Sequence, residues 1–363
     1  MTDQQKIKLL IFTPTLHCGG SEKFVSVLCN HINTGIFSVS LVVLNNSTPF
    51  YNITNSAIKV IDLKEARVRF TLFKIKALIK HHKPAIVFTT ANHLNLYFAI
   101  FRRLFPRSLK FVARESSIIS INSQRATWPR VYNWLIKKYY RRFDFIVCQS
   151  AYMQQDLISN YNFPVNKTCI IYNTVAENSK SEAVNTANNI NKKYKFITVA
   201  RMSAEKGIER LIHAVGLLAL PFQFYIFGGG SKMGYLQNLV RELQLENKVI
   251  FKGERTEPFL GMEDSSLFLM GSYYEGSPNV LLEAGNLGIP VIAFDVPGGI
   301  REIITQDENG VLVEDNDILA FAAAIRKSLL SHFNRNKIIE TTQKRFSLHK
   351  TVTEVENLFI QIQ

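Results

Sequence analysis

The stretch EGSPNVLLEAGNLGIPVIAFDVPGGIREII, residues 275–304, contains a helix, a buried strand and a turn into a second helix. Ser277 and Pro278 predict the start of the first helix, with Ser277 as its N-cap, because both residue types favour those positions. The run PVIAFD is continuously apolar, which is typical of a parallel strand covered by helices on both faces. A glycine pair then leads into the next helix, so this stretch by itself indicates an α/β fold.

The same alternation of apolar strands and amphipathic helices continues along most of the 363 residues. A first series of strands runs from KIKLLIFTP to FDFIVCQS, and a second series runs from YKFITVAR to PVIAFD. Between them lies the polar stretch 176–193, which has little to bury and predicts a linker or a long surface loop. We therefore predict two Rossmann-like, doubly wound domains, 1–175 and 194–345, followed by a helical segment at 346–363.

Positive charge is concentrated in the first half of the chain. Of the formal net charge of +14, residues 1–173 carry +16 and the remainder carries −2. Such a basic half favours an anionic partner, such as lipid headgroups, a nucleic acid or a phosphorylated substrate, with solubility alone as the alternative. Polar and basic residues interrupt the apolar stretch 85–105, which therefore predicts a strand and a helix rather than a membrane span. The four cysteines lack paired spacing, which indicates a reducing cytoplasm without a zinc site or a disulfide framework.

Two cations follow the first strand of the second series. In VARMSAEKGIERLI, Arg201 comes directly after the strand and Lys206 precedes a glycine and an apolar helix. Ligands of doubly wound sheets bind beyond the carboxyl ends of the strands, and two such domains would enclose a cleft there. Paired cations at that edge can hold a diphosphate, whereas a solvated basic loop is the alternative.

Three glycine-rich turns follow other strands. In chain order, they contain Gly19–Gly20, Gly228 and Gly298–Gly299. Glycine lets the backbone approach a ligand closely, and a helix start favours phosphate. After the first strand, Ser21 could cap the helix that follows. Each turn could also be a tight connection without a ligand, so the residues leave both interpretations open.

Two carboxylates lie in and beside the predicted helix of the opening stretch. Glu275 lies in the loop before the helix, at its positive end, and Glu283 lies inside it among apolar neighbours. A partly buried carboxylate needs partners, and an ionised one can accept two hydroxyl donors such as a ribose diol. The alternative is an exposed glutamate and a loop acid near a helix dipole.

The combination of these features closely resembles the retaining glycosyltransferases of family 4. The resemblance rests on Glu275 and Glu283 in a Glu-x7-Glu pattern, on the upstream Arg201 and Lys206, and on the glycine turns. It covers essentially the whole chain and is strongest in the second half. It implies the GT-B fold, in which two Rossmann-like domains face a cleft and the last helix packs back on the N-terminal domain. The donor would bind mainly to the C-terminal domain and the acceptor to the N-terminal one.

The resemblance also implies a role for each matching residue. Arg201 and Lys206 would bind the diphosphate of a nucleotide-sugar donor and stabilise the leaving nucleotide. Glu275 would contact and position the donor sugar, and Glu283 would hold the ribose hydroxyls. Gly19 and Gly20 would meet the donor phosphates from the opposite side of the cleft. The remaining donor-binding candidates are Gly228, Gly276, Ser277, Asn279, Val280, Gly298 and Gly299. The family needs neither a metal ion nor a further cofactor, because the two cations replace the metal.

One departure from the family concerns an N-terminal-domain histidine that many members place near the donor sugar. The corresponding loop, ARESS at 113–117, contains no histidine. His93, in TTANHLNL, is a candidate replacement, and the alternative is a structural histidine at a strand end. Arg114 and Glu115 are comparable candidates for contacts with the acceptor or the donor sugar.

The basic first half then suggests where the enzyme acts. FRRLFPRSLK, residues 101–110, and WPRVYNWLIKKYYRRF, residues 128–143, interleave basic with aromatic and aliphatic residues. Such segments suit an anionic membrane surface, and a core helix with a solvated basic face is the alternative. We therefore expect a cytoplasmic transferase, peripherally bound to the inner face of the cytoplasmic membrane.

The expected reaction moves a sugar from a uridine-linked donor, with UDP-N-acetylhexosamine as one option, to a lipid-linked or polyprenyl diphosphate-linked glycan. Lipopolysaccharide, O-antigen or capsule synthesis would use such a step. An alternative within the fold is a soluble transferase acting on a small molecule or a protein. A basic nucleic-acid-binding protein is a different alternative, but the chain shows no RNP-like, helix-turn-helix or zinc motif. A nicotinamide oxidoreductase would need a GxGxxG turn at the first strand, which is missing.

Overall fold

The computed structural model describes residues 6–175 and 193–363. The chain divides into two compact units, the first formed by Met1–Asn173 with Leu348–Gln363 and the second by Thr174–Ser347. The predicted linker, 176–193, lies outside the described residues except for Lys193.

The first unit is built on a seven-stranded parallel sheet. Its strands are β1 (Ile7–Thr13), β2 (Phe37–Val43), β3 (Lys59–Asp62), β4 (Ile86–Thr90), β5 (Lys110–Arg114), β6 (Phe145–Cys148) and β7 (Thr168–Ile170). The strand order is β3-β2-β1-β4-β5-β6-β7, so the direction of winding reverses between β1 and β4. Ile11 of β1 pairs with Leu41 on one side and Phe88 on the other, and all three side chains are fully buried. Continuous apolar strands are buried in this way because helices cover both faces of a parallel sheet.

Six helices of the first unit connect these strands. They are α1 (Gly20–His31), α2 (Leu72–His82), α3 (Asn92–Phe101), α4 (Ile119–Gln124), α5 (Pro129–Tyr139) and α6 (Ala151–Tyr161). Short 3-10 turns occupy Val68–Phe70, Arg102–Leu104, Tyr140–Arg142 and Val165–Lys167. The apolar stretch 85–105 forms β4 and α3, which confirms the prediction of a strand and a helix. No helix in the described residues is both long enough and apolar enough to cross a membrane.

The second unit repeats the same architecture with six parallel strands. Its strands are β8 (Tyr194–Val199), β9 (Phe222–Phe227), β10 (Val249–Gly253), β11 (Leu267–Met270), β12 (Val291–Asp295) and β13 (Gly310–Glu314), in the order β10-β9-β8-β11-β12-β13. Its helices are α7 (Ile208–Gly216), α8 (Met233–Glu242), α9 (Asn279–Asn286), α10 (Ile300–Ile303), α11 (Ile318–Leu330) and α12 (Arg335–Phe346), and a 3-10 turn covers Ala204–Lys206. Both sheets are doubly wound, as the alternation of elements predicts.

The last helix, α13 (Leu348–Ile362), returns to the first unit. Phe359 is fully buried, and its ring centroid lies 6.1 Å from that of Phe37 and 5.4 Å from that of Phe88. Asn33 donates its backbone amide to Glu356 at 2.7 Å, which ties the middle of the helix to the first unit. Full burial of a phenylalanine contributes about 1.5–3 kcal/mol, so this contact stabilises the return of the chain. The prediction that the C-terminal helix packs on the N-terminal domain is confirmed.

Candidate active site

Glycines interlock the loops that follow the strands of the second sheet. Gly228 follows β9 with a φ of +128°, and a Cβ there would lie 2.0 Å from the carbonyl oxygen of Ala200, which follows β8. Gly207, also after β8, has a φ of +54°, and its Cβ would lie 2.0 Å from the carbonyl oxygen of Gly271, after β11. No side chain fits between backbones at these separations, and positive φ angles favour glycine. The predicted turn glycine Gly228 therefore has a packing function beside the loop that contains Arg201.

The closest approach joins the loop of Glu275 to the turn after β12. Gly298 has a φ of +127°, and a Cβ there would lie 1.5 Å from the carbonyl oxygen of Glu275. The Glu275 amide donates to Pro297 at 3.0 Å, and the Gly299 amide donates back to Glu275 at 3.1 Å. Gly298 and Gly299 thus hold the backbone of Glu275 in place. Because the Gly299 amide already donates within the protein, the predicted contact of this amide with a ligand has no support in this geometry.

The side chain of Glu275 contacts Lys206, which lies 69 residues earlier in the chain. Lys206 Nζ and Ser272 Oγ both donate to Glu275 Oε1, at 2.6 and 2.7 Å. The two charged side chains are 20% and 13% exposed, so the ion pair is partly shielded from solvent. Lys206 ends the 3-10 turn, and Gly207 redirects the backbone into α7. The structure therefore brings together two of the residues that the sequence singled out.

Arg210 is a functional residue that the sequence analysis missed. It is 3% exposed, and its guanidinium packs against the residues that precede Glu275. Its partners are the Gly271 carbonyl at 2.5 Å, the Ser272 carbonyl, Asp315 Oδ1 at 2.6 Å, and the rings of Tyr273 at 4.0 Å and Phe294 at 3.9 Å. A buried charge persists only when it is paired and hydrogen-bonded, as here, so Arg210 positions the loop rather than contacting a ligand. The available signal is its helical position, since Arg210 precedes the buried Ala214 by four residues and so shares its apolar face.

Arg201 differs from Lys206 in its surroundings. Its side chain is 77% exposed and lies 3.7 Å from Glu205. Exposed pairs of this kind contribute little, so the guanidinium can leave Glu205 without a large cost. The neighbouring backbone is held more firmly, because Met202 donates its amide to Gly229 at 2.7 Å. The loop is therefore anchored while the Arg201 side chain can rearrange.

The helix after Glu275 begins one residue later than predicted. Its first residue is Asn279 and its N-cap is Pro278, without a side-chain capping bond, so the assignment of Ser277 as N-cap is wrong. The reason is tertiary, because Gly276 accepts a hydrogen bond from the Gly299 amide and the chain turns into the helix only afterwards. Asn279 Oδ1 is buried and has no hydrogen-bond partner among the described residues. Amides in the first turn, where Asn279 and Val280 lie, have no helical acceptors, so this helix start can bind a polar ligand.

Glu283 lies in the second turn of α9 and is half-buried between the buried Leu282 and Ala284. It follows Asn279 by four residues, which corresponds to roughly 6 Å along the helix axis. Its carboxylate therefore lies on the same element as the helix start but one turn further along.

Gly19 and Gly20 lie at the start of α1 in the first unit. Gly19 is the N-cap in an extended conformation and Gly20 is the first helical residue, without a side-chain capping bond. The prediction that Ser21 caps this helix is wrong, because the helix has already begun before Ser21. The Ser21 hydroxyl is instead buried without a hydrogen-bond partner among the described residues.

His93 lines a pocket within the first unit. The pocket has a volume of about 260 Å³ and lies where β1, β2, β3 and β4 end. Arg67, Arg69 and Glu65 supply its charged groups, and Thr15 also lines it. The His93 side chain reaches solvent, but desolvation by the surrounding protein lowers its pKa from the usual value. The His93 imidazole and two guanidinium groups thus share one edge of this sheet.

Arg114 and Glu115 are buried within the first unit, so neither side chain is accessible to a ligand. The Arg114 guanidinium lies 3.6 Å from the centre of the Phe24 ring and donates to Asn173, and burial lowers its pKa to about 9. Glu115 accepts a bond from Asn95 Nδ2 at 2.8 Å, and burial raises its pKa to about 7. This burial contradicts the prediction that Arg114 and Glu115 contact the acceptor or the donor sugar. Both side chains instead pack in the interior around β5.

Comparison with family models covers both units. Residues 18–178 match the model described as Glycosyltransferase Family 4, and residues 180–345 match Glycosyl transferases group 1.

In the described residues, no group of three or more His, Cys, Asp or Glu side chains could hold a metal ion.

A relative in Campylobacter jejuni is 30% identical over 323 residues, which is 85% of this chain and 87% of the relative. It is named N-acetylgalactosamine-N,N'-diacetylbacillosaminyl-diphospho-undecaprenol 4-alpha-N-acetylgalactosaminyltransferase. Among solved structures, the lipopolysaccharide outer core galactosyltransferase WaaB in its apo form is 19% identical with a TM-score of 0.76, covering 98% of this chain and 99% of WaaB.

Anabaena HepE in complex with UDP-glucose is 17% identical with a TM-score of 0.77, covering 98% of this chain and 100% of HepE. These two structural matches agree with the pair of doubly wound sheets and the returning C-terminal helix, which together make up the GT-B fold. Both family models and a relative that covers most of the chain agree, so the protein is a GT-B glycosyltransferase and belongs to family 4.

Proposed function

We propose that this glycosyltransferase moves a sugar from a UDP-sugar to a lipid-linked glycan, with retention of the anomeric configuration and without a metal ion. The observation that carries the proposal is the contact of Lys206 with Glu275 at the start of α9, with Arg201 exposed on the adjoining loop. A sugar-diphosphate has a negative diphosphate and a polyhydroxylated ring, and this site offers cations and a carboxylate side by side.

The donor diphosphate would bind to the two cations and to the start of α9. An ammonium group has three donors, and Lys206 uses one of them on Glu275 at 2.6 Å, so others can reach a phosphate oxygen. Arg201 would leave its weak contact with Glu205 and bind the diphosphate through its planar fork. The two cations would then supply the charge that a metal ion supplies elsewhere.

The two carboxylates would bind the hydroxyl groups at opposite ends of the donor. Glu275, whose Oε1 is occupied by Lys206 and Ser272, would accept a sugar hydroxyl through Oε2. Glu283, one turn further along α9, would accept the ribose hydroxyls. The unpartnered Asn279 Oδ1 adds an acceptor between them for a further hydroxyl.

In the proposed reaction, the acceptor hydroxyl attacks the anomeric carbon from the face that the diphosphate leaves. The bond from the anomeric carbon to oxygen breaks, the new glycosidic bond forms, and a phosphate oxygen of the leaving group takes the acceptor proton. Lys206 and Arg201 stabilise the charge that develops on the leaving diphosphate, which is where preorganised cations contribute most. No protein nucleophile is required.

The relatives support the choice of donor and acceptor. HepE binds UDP-glucose in its solved structure, and the Campylobacter enzyme is named for a diphospho-undecaprenol-linked acceptor. WaaB is named for the lipopolysaccharide outer core. Surface glycan synthesis is therefore the process that we propose for this chain. The pocket around His93, with Arg67 and Arg69, would suit the anionic end of such an acceptor.

Peripheral association with the inner face of the cytoplasmic membrane forms part of the proposal. On the outward face of α5, the side chains of Val131 and Trp134 are 49% and 53% exposed. Trp128, directly before the helix, is 71% exposed. The Lys138 ammonium lies 4.4 Å from the centre of the Trp134 ring, so charge and aromatic surface occur together. Tryptophan and lysine in this arrangement are typical of a helix at a membrane interface. Sedimentation with anionic vesicles measures this association.

Calorimetric titration with UDP and a panel of UDP-sugars, in the presence of EDTA, tests the donor site. Glu283→Ala should weaken UDP and all UDP-sugars alike by roughly tenfold or more, the loss expected for a hydrogen bond to a charged group. Glu275→Ala should leave UDP binding unchanged and reduce sugar-dependent affinity or turnover. Glu242→Ala, an exposed glutamate of α8, is the matched control.

Three results would contradict parts of this proposal. Unchanged UDP affinity in Glu283→Ala would show that the ribose lies elsewhere. A requirement for Mg²⁺ in the titration would rule out metal-independent donor binding. A product whose anomeric proton coupling constant shows the configuration opposite to that of the donor sugar would rule out retention.

A further inference from the structure

A second pocket lies in the first unit at the edge of the sheet opposite to the His93 pocket. Its volume is about 590 Å³. The end of α2 and the segments that lead into β4 and β5 form its walls, so it lies at the amino ends of these strands. Its lining includes Lys76, Ala77, Lys80 and Lys83 on one side and Phe105 and Leu109 on the other. The donor and acceptor residues named above follow the carboxyl ends of strands, so this pocket lies outside that site.

The floor of this pocket is apolar and its rim is basic. Phe105 and Leu109 are 5% and 3% exposed and form the floor, while Leu104 at the lip is 50% exposed. None of the lining residues is acidic. Lys76 and Lys80 are separated by one helical turn and so lie on the same face of α2. Neither of these side chains has an ion-pair partner among the described residues.

The wall formed by 102–109 is held in shape from within. Arg102 donates to the carbonyls of Pro106 at 3.1 Å and Leu109 at 2.7 Å, and its guanidinium lies 4.5 Å from the centre of the Phe111 ring. Most of this arginine side chain is buried, so its charge closes the loop rather than facing the surface. The pocket is therefore formed before any ligand arrives, which reduces the ordering cost of binding.

We propose that this pocket binds one molecule of an anionic phospholipid, with its phosphate at the lysines and the first part of an acyl chain on the apolar floor. The volume lies within the ~300–1,000 Å³ that small-molecule sites occupy. A free anion would gain nothing from the floor, and an uncharged hydrocarbon would gain nothing from Lys76, Lys80 and Lys83. A ligand that combines one negative group with a hydrocarbon chain uses both.

The surroundings of the pocket match a lipid held at a membrane surface. Phe73 is 83% exposed and precedes Lys76 by three residues, so it shares the face of α2 that carries the rim. Phe73 and Leu104 would enter the acyl region beside the bound lipid. This inference rests on the proposed membrane association, but it adds a stoichiometric lipid site to a general electrostatic attraction.

Binding of dihexanoylphosphatidylglycerol to the full chain, below the micelle concentration, tests the site by calorimetry. The K76Q/K80Q/K83Q variant should weaken this lipid by roughly tenfold or more, since each basic residue at an anionic lipid surface contributes measurably. Ala77→Trp, which fills the pocket and leaves the lysines in place, should weaken it as well. The matched control R326Q/K327Q/K337Q removes the same charge from exposed positions of α11 and α12 in the second unit and should keep the parental affinity.

The remaining measurements separate a lipid from other ligands. Dihexanoylphosphatidylcholine should bind more weakly than dihexanoylphosphatidylglycerol. Inorganic phosphate should not displace the bound phosphatidylglycerol. Equal loss in the R326Q/K327Q/K337Q control would reduce the effect to general charge, and displacement by phosphate would reduce it to an anion site. Unchanged binding in Ala77→Trp would also overturn the proposal. The titration contains neither the sugar donor nor the glycan acceptor, so its result does not depend on the proposed transferase reaction.

Discussion

Replacement of Gly298 by alanine probes how the Glu275 loop is held. The added Cβ would lie 1.5 Å from the Glu275 carbonyl oxygen and 2.6 Å from its carbonyl carbon, at a φ of +127°. Both neighbours are backbone atoms, so no flexible side chain can move aside. The loop itself must shift, which separates the Glu275 amide from Pro297 and the Gly299 amide from Glu275.

The expected cost follows from these contacts. A backbone conformation of this kind costs on the order of 1–3 kcal/mol for a residue other than glycine. Loss of two hydrogen bonds adds about 0.5–1.5 kcal/mol each, which gives a total of roughly 2–6 kcal/mol. For a domain of this size, 1 kcal/mol corresponds to a shift of roughly 2–4 °C, so the Tm should fall by at least about 4 °C.

Gly234→Ala is the matched control for Gly298→Ala. Gly234 lies in α8, and a Cβ there would meet no atom within 4 Å. Alanine is favoured over glycine inside a helix by about 0.5–1 kcal/mol, so this variant should melt at or slightly above the parental temperature. Thermal melts followed by circular dichroism measure stability, and turnover of a UDP-sugar measures the position of Glu275. If Gly298→Ala melts with Gly234→Ala and keeps parental turnover, the interlocking of these loops is unnecessary and the reasoning fails.

Two further predictions concern the first unit. The W128S/W134S variant should bind anionic vesicles roughly tenfold more weakly in sedimentation assays, because interfacial binding scales with the buried apolar area. Leu330→Ser, which changes a residue of the second unit that is 80% exposed, is its control, and parental sedimentation of the tryptophan variant would contradict membrane association through α5. Burial raises the pKa of Glu115 from 4.5 to about 7, so the stability that this group contributes is fully present below pH 4.5 and is lost as pH rises through about 7, a total loss of roughly 3 kcal/mol. Glu115→Gln cannot ionise, so urea unfolding at pH 5 and pH 8 should show a smaller loss of stability with pH than in the parent, and an unchanged loss would refute this assignment.

The residues that organise the site differ in how far the sequence reveals them. The sequence singles out Lys206 because it follows a strand at the carboxyl edge of the sheet, and Glu275 because it precedes a helix start in the Glu-x7-Glu pattern. Their contact at 2.6 Å joins positions 69 residues apart and follows only from the packing of neighbouring loops. Arg210 escaped detection because a charged residue in a helix is usually solvated, whereas here carbonyl groups and Asp315 surround it.

The basic segments of the first unit show the same division. Their composition predicts a surface that combines basic and aromatic residues, and α5 exposes Trp134, Lys137 and Lys138, while Trp128 is exposed directly before the helix. Arg102 closes the loop before β5, and Arg142 donates to the carbonyls of Ala99 and Ile100 at the end of α3, so these two charges support the fold. Sequence alone does not separate structural from surface arginines, because both occur in the same local pattern.

The sequence by itself determined the two doubly wound sheets, the helix at the C-terminus and the strand ends where the candidate residues lie. These features depend on the period of apolar residues within short windows, which the chain carries locally. Only the tertiary structure decided the start of α9, the burial of Arg114 and Glu115, and the glycine contacts that hold Glu275. Each of these depends on the free energy of contacts between segments distant in sequence, such as the approach of Gly298 to Glu275, and no local period encodes those distances.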